Sequence, residues 1–237
     1  MEEIWKLILI IVISYLVGAF PTAIFISKRF FGFDIRQKGS GNMGSTNAFR
    51  ILGWKWGVAV QLIDILKGVI AVLIASVFIG ANLKFPTAPF LENITVLGFI
   101  AGITAVLGHI YSCFAGFRGG KGMNTTLGML FGIVPIDSTV AVLFFIITVI
   151  FSGYISLGSI AGSIGLPLSL LFRHNMLNVE ISGYGILIYL ALGLMVLLIF
   201  AHRQNIVRLI KGNENKFEKL HLIKIGSKTK TINKNGE

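Results

Sequence analysis

The sequence predicts an all-α integral membrane protein: a bundle of about seven transmembrane helices, with the N-terminus outside and the C-terminus cytoplasmic. Three observations lead there. Of the 237 residues, 54% are hydrophobic and only 13% charged, less charge than a water-covered domain of this size carries. Several apolar stretches reach or approach the roughly 20 residues that a helix needs to cross hydrocarbon. The basic residues, which set a net charge of +11, fall in a few connections, as the Lys/Arg bias of cytoplasmic loops requires. Backbone in lipid must satisfy its own N–H and C=O groups, so only helices or closed barrels can span. Barrel strands alternate in polarity, whereas residues 140–150 are apolar throughout.

Apolar segments lie near residues 4–27, 54–81, 93–112, 156–172 and 183–201. The first is long, has no small-residue cleavage site and carries Lys28 and Arg29 after the run, so it reads as a retained helix and not a signal peptide. Residues 123–152 are interrupted by Pro135 and Asp137 and read as one tilted helix or as two short ones. Charge arbitrates. Lys28, Arg29, Arg36, Lys38, Arg50 and Lys55 follow the first span; Arg118 and Lys121 follow the third; Arg203 opens a C-terminal stretch rich in Lys and Arg. Putting all three groups on the cytoplasmic side needs two helices in 123–152, turning outside at Pro135, and a total of seven. Six crossings with one re-entrant segment is the fallback. Residues 1–216 read as a single transmembrane domain and 217–237 as a basic cytoplasmic tail. The lone Cys113 cannot form an internal disulfide, and no Cys/His cluster has zinc-site spacing.

Three polar motifs interrupt the apolar pattern. The first is Gly39-Ser40-Gly41-Asn42-Met43-Gly44-Ser45-Thr46-Asn47-Ala48-Phe49-Arg50. Its glycines let backbone N–H groups converge on an anion, a helix start would add a favourable dipole, and Arg50 could grip phosphate oxygens bidentately. The second is Gly108-His109, then Phe114-Ala115-Gly116-Phe117-Arg118-Gly119-Gly120-Lys121-Gly122 and Thr125-Thr126. It resembles a phosphate cradle but is not a nucleotide-hydrolysing P-loop, which needs Ser or Thr directly after the lysine. The third is His202-Arg203-Gln204-Asn205-Ile206-Val207-Arg208-Leu209 with Gly212 and Glu214. If helical, His202, Asn205 and Arg208 share a face. Taken alone, the first motif is better read as an interfacial loop and the third as a positive-inside anchor, and the second has a headgroup-binding turn as its alternative. Together, at one face, they suit a phosphorylated small molecule that meets a lipid. Asp64 and Lys67, three apart within the second span, read as a buried ion pair, with support of a site as the lesser reading.

On these motifs the chain resembles the bacterial membrane acyltransferases that use acyl phosphate to acylate glycerol 3-phosphate. The resemblance runs in order from residue 39 to 214, with two departures: Ser45 where the family has Ala, and Asn124 where Ala is expected. It implies a seven-helix fold in the cell inner membrane, with an active site at the cytoplasmic face. It implies acyl phosphate and glycerol 3-phosphate as substrates, surrounding membrane lipids, no cofactor, no metal and no nucleic acid. Ser40, Arg50, Lys121, His202 and Asn205 are the catalytic candidates. Gly39, Gly41, Asn42, Gly44, Thr46, Asn47, His109, Gly119, Gly120, Gly122 and Thr125 are the substrate-binding candidates, and Glu214 is a structural support. Acyl phosphate is already activated, so no covalent nucleophile is needed; His202 or a phosphate oxygen of the substrate would accept the hydroxyl proton. None of the four histidines has an Asp with four residues between, which argues against the acyltransferases that use that pair. Asp34, Asp64 and Asp137 are too scattered for a metal-dependent phosphotransferase. A small-anion transporter is the non-enzymatic alternative.

Overall fold

The computed structural model describes residues 2–79, 93–214 and 216; the tail 217–237 and the connection bearing Lys84 lie outside them. The described residues form ten α-helices: α1 (Glu2–Ala19), α2 (Thr22–Phe31), α3 (Ser45–Leu52), α4 (Trp54–Leu73), α5 (Ile94–Ile110), α6 (Met123–Ile133), α7 (Pro135–Ser152), α8 (Ile155–Asn175), α9 (Tyr184–Ala201) and α10 (Arg203–Ile210). No strand occurs among them. Six segments are long and apolar enough to cross a membrane: Ile4–Phe31, Trp54–Ser76, Ile94–Ala115, Pro135–Ser152, Ile155–Asn175 and Tyr184–Ala201.

Two breaks shape this pattern. The first apolar run is not one helix, because Pro21 lacks the N–H that would continue α1 and the chain restarts at Thr22. The second falls at Val134, where Pro135 separates α6 from α7, so residues 123–152 are two helices. The eleven-residue α6 rises about 17 Å, little more than half of a hydrocarbon core of roughly 30 Å. The seven-crossing count therefore rests on this one short helix. Asp137, in the first turn of α7, is buried, where the positive end of the helix dipole favours a carboxylate.

The chain forms two compact units, one of Met1–Thr139 with Glu180–Gly185 and one of Val140–Val179 with Ile186–Glu237. In the first, glycines bring helices close. A Cβ on Gly68 of α4 would run into the Thr125 carbonyl of α6, and one on Gly128 into the Ile65 carbonyl; Gly18 and Gly108 likewise seat α1 against α5. Lipid supplies no hydrophobic drive between helices, so such close backbone contact is a main source of association. Gly68→Ala is expected to cost about 1–3 kcal/mol by overpacking, read as a lower thermal midpoint in detergent. Gly193→Ala, whose added methyl meets nothing within 4 Å, serves as the control; equal midpoints for the two variants would contradict this packing. In the second unit, Gly158, Gly162 and Gly165 of α8 face α7 at Val149, Ala141 and Phe144.

Candidate active site

The loop before α3 is built by its own amides. Asn47 is 2% exposed; its Nδ2 donates to the Lys38 and Asn42 carbonyls at 3.1 and 2.9 Å, and its Oδ1 accepts from the Ser40 N–H at 3.0 Å. The Asn42 side chain accepts from the Gly44 N–H at 2.8 Å. Gly39 sits at φ +62° with the Asn47 carboxamide against it, so both its backbone and its missing side chain are required there. Upstream, Asp34 takes Arg36 bidentately, at 3.1 and 2.8 Å, and Arg36 donates to the Ala115 carbonyl at 2.8 Å. The first motif is thereby tied to the second.

The Arg36 guanidinium hydrogen-bonded to Asp34 lowers the carboxyl pKa to about 2, below its ordinary 3.8. A depressed carboxyl stabilises the fold above its unfolded value and ceases to as pH falls through the folded one. The thermal midpoints of wild type and Asp34→Asn are therefore expected to differ at pH 5 and to converge between about pH 4 and pH 2. A gap that persists at pH 2 would contradict the pairing.

The Gly119 and Gly120 amides donate to the carbonyls of Ile110 and His109, at 2.9 and 3.1 Å. They fold the second motif back onto the end of α5 and are not available to cradle a phosphate. A Cβ at Gly119 would meet the His109 carbonyl, and one at Gly120 the His109 imidazole; glycine is needed there for close packing. Gly122, at φ +78°, then turns the chain into α6.

These loops enclose a cavity of about 250 Å³ lined by Ser40, Asn42, Gly44, Ser45, Thr46, Asn47, Arg50, Asp64, His109, Lys121, Gly122, Met123 and Asn124. Two helices begin at its wall. The first amides that return to the caps are Asn47 in α3 and Thr126 in α6, so the preceding N–H groups of each first turn lack an intrahelical acceptor and carry the positive end of the dipole. Arg50 and Lys121, both exposed, add two cations. Such an enclosure favours an anion with several acceptor oxygens.

Of the expected site residues in the first two motifs, Ser40, Asn42, Gly44, Thr46, Asn47, Arg50, His109, Lys121 and Gly122 line this cavity, while Gly39, Gly41, Gly119, Gly120 and Thr125 are not in its lining. Thr125 is buried, and its hydroxyl has no partner among the described residues. Ser45, Asp64, Met123 and Asn124 also line the cavity, beyond the expected site residues. Asp64 had a visible signal, a carboxylate within an apolar span. Asp64 Oδ1 accepts from Lys67 Nζ at 2.6 Å and Thr22 Oγ1 at 3.1 Å, and lies 3.8 Å from His109 Nδ1. The ion pair read from the sequence is present, and Asp64 is also part of the cavity lining.

The third motif belongs to the second unit. Glu214 accepts from Ser156 Oγ at 3.0 Å, Asn205 Nδ2 at 2.8 Å and Arg208 Nε at 2.7 Å. The Asn205 hydrogen bond, followed by that from Arg208, pushes its pKa down. Because a carboxylate only accepts, the Asn205 amide must turn its Nδ2 toward Glu214, which leaves Oδ1 as an acceptor for another group. His202 Nδ1 lies 2.9 Å from the Leu198 carbonyl. That carbonyl also only accepts, so Nδ1 carries a proton, and in the neutral ring the lone pair is on Nε2.

With this geometry in place, comparison with known proteins decides the family. A family profile described as glycerol-3-phosphate acyltransferase matches residues 8–212. The chain belongs to the glycerol-3-phosphate acyltransferase family. A glycerol-3-phosphate acyltransferase of Chlorobium phaeobacteroides is 40% identical over 90% of this chain and 97% of its own length. One of Chlorobaculum tepidum is 41% identical, over 87% and 94%. A crystal structure of PlsY, an integral membrane glycerol 3-phosphate acyltransferase in its glycerol 3-phosphate form, is 34% identical and covers 89% of this chain and 95% of that one, with a TM-score of 0.64. Its lysophosphatidic acid form matches at a TM-score of 0.63 and 33% identity. This glycerol-3-phosphate acyltransferase is thus an integral membrane enzyme of lipid biosynthesis.

Proposed function

We propose that this enzyme transfers an acyl group from acyl phosphate to the 1-hydroxyl of glycerol 3-phosphate. The products are 1-acylglycerol 3-phosphate and inorganic phosphate. The observation that supports this most directly is the cavity in which two helix starts, Arg50 and Lys121 surround one small polar space. Its volume is below the roughly 300–1,000 Å³ of pockets that swallow a whole drug-sized ligand. It suits phosphate ends, with the acyl chain left to the lipid.

In the reaction, the glycerol hydroxyl oxygen bonds to the acyl carbon while the carbon–oxygen bond to phosphate breaks and the phosphate departs with that electron pair. The enzyme's part is to hold two anions side by side and to stabilise charge on the carbonyl oxygen and the leaving phosphate. Arg50, Lys121, Ser40 and the first-turn amides of α3 and α6 carry that role. The hydroxyl proton goes to His202 Nε2 or to a phosphate oxygen of the substrate. Asn205 Oδ1 is matched to a donor such as a substrate hydroxyl, with Glu214 holding the amide in that orientation. Residues 1–216 act as one acyltransferase domain in the inner membrane, with the site at its cytoplasmic face.

The purified protein supplied with glycerol 3-phosphate and acyl phosphate is expected to release inorganic phosphate, and to be inactive with acyl-CoA as the only donor. Equal turnover of acyl-CoA would overturn the donor assignment. Labelling that placed the Lys121 turn and the Arg203 segment on opposite sides of the membrane would overturn the shared face.

A further inference from the structure

Ser45 is the first residue of α3 and Asn124 the second of α6. Both are half-buried, both line the cavity beside Arg50 and Lys121, and neither belongs to the residues assigned roles above. Asn124 Nδ2 donates to Ser45 Oγ at 2.9 Å. This bond joins the starts of two helices that are 79 residues apart in the chain.

The chemistry of the pair leaves a donor over. A hydroxyl can accept and donate at once, so Ser45 Oγ, while accepting from the amide, keeps its own proton to give. Turning the carboxamide end for end changes nothing essential. The hydroxyl then donates to Oδ1, and the freed NH2 becomes the available donor. Arg50, Lys121 and the first-turn N–H groups outnumber the one lining carboxylate, Asp64, which is already paired with Lys67, so the partner that suits this donor in the cavity is an anion's oxygen. A chain of amide to hydroxyl to anion also polarises along its length, which strengthens the last bond.

We propose that Ser45 and Asn124 form a hydrogen-bonded pair that grips a phosphate oxygen of a substrate and ties the two motif loops together around it. The inference rests on the acyl-transfer reading above and adds two binding residues to it. The ligand chemistry is a phosphate carried by glycerol 3-phosphate or by acyl phosphate, and kinetics separates the two.

Ser45→Ala, Asn124→Ala and the double variant are to be compared by KM for each substrate, by kcat, and by inhibition with inorganic phosphate. Each single variant is expected to raise the KM of the gripped substrate about tenfold, with kcat little changed and phosphate inhibition weakened. The double variant should be no worse than either single, since each change dissolves the same pair. Asn124→Asp discriminates binding from mere bracing. An aspartate still accepts the Ser45 hydroxyl and keeps the brace, but it repels phosphate, so its KM should exceed that of Asn124→Ala. Ser45→Thr, which keeps the hydroxyl, should stay near wild type. Unchanged KM and phosphate inhibition in both alanine variants would overturn the pair, as would Asn124→Asp behaving like wild type. Wild-type enzyme that fails to use acyl phosphate would count instead against the acyl-transfer reading.

Discussion

Arg50→Ala and Lys121→Ala are each expected to lower turnover with acyl phosphate by about a hundred- to a thousandfold, the scale on which one preorganised donor at a developing charge acts. The structure makes this a clean test. Both side chains are exposed at the cavity wall, and no ion pair of either is seen among the described residues. Exposed substitutions of that kind usually change stability by less than about 0.5 kcal/mol, so the thermal midpoint should hold while activity collapses. Lys121→Arg should recover only part of the loss, because a planar fork does not reproduce a compact ammonium charge. Phosphate release measured beside thermal unfolding reads both quantities. Turnover near wild type in either alanine variant would remove that residue from the site.

The second large effect is on stability. Asp64 and Lys67 are 1% and 4% exposed, and their 2.6 Å contact is shared with Thr22 and with the Phe20 carbonyl, which accepts from Lys67 at 2.6 Å. That carbonyl also accepts from the Thr22 N–H at 3.0 Å, at the break where Pro21 ends α1. Asp64→Ala strands the lysine ammonium in a buried site, a loss of about 3–5 kcal/mol for a broken buried pair. Replacing both, as Asp64→Leu with Lys67→Met, should restore most of the midpoint, since an apolar pair of similar volume is often neutral. A double variant as unstable as the single would show that the charge pair is not the source of the loss. Recovery of stability without recovery of activity would assign the carboxylate a part in the cavity as well.

Much of this was legible before any coordinates. The apolar segments, the break before Pro135 and the polar motifs are local properties, written into consecutive residues, and they survive intact in α4, α5, α8 and α9. The break at Pro21 was equally local, yet a proline inside an otherwise apolar run is easily absorbed into a longer hydrophobic segment. The roles within each motif were harder to read. Asn47 reads only as a binding residue in the sequence; it lines the cavity and also staples its own loop. The Gly119 and Gly120 amides look like a cradle and are already committed to α5.

The difference has a physical origin. Transfer of apolar surface adds residue by residue along a chain, so the membrane class, the main apolar spans and the family follow from order and composition alone. A hydrogen bond is exclusive: a donor that finds one acceptor is largely lost to others, and that acceptor can lie anywhere in the chain. Asp64 meets Thr22 across 42 residues, Lys67 meets Phe20 across 47, and Asn124 meets Ser45 across 79. Folding alone settles which polar groups are spent on holding the loops and which remain to face a phosphate.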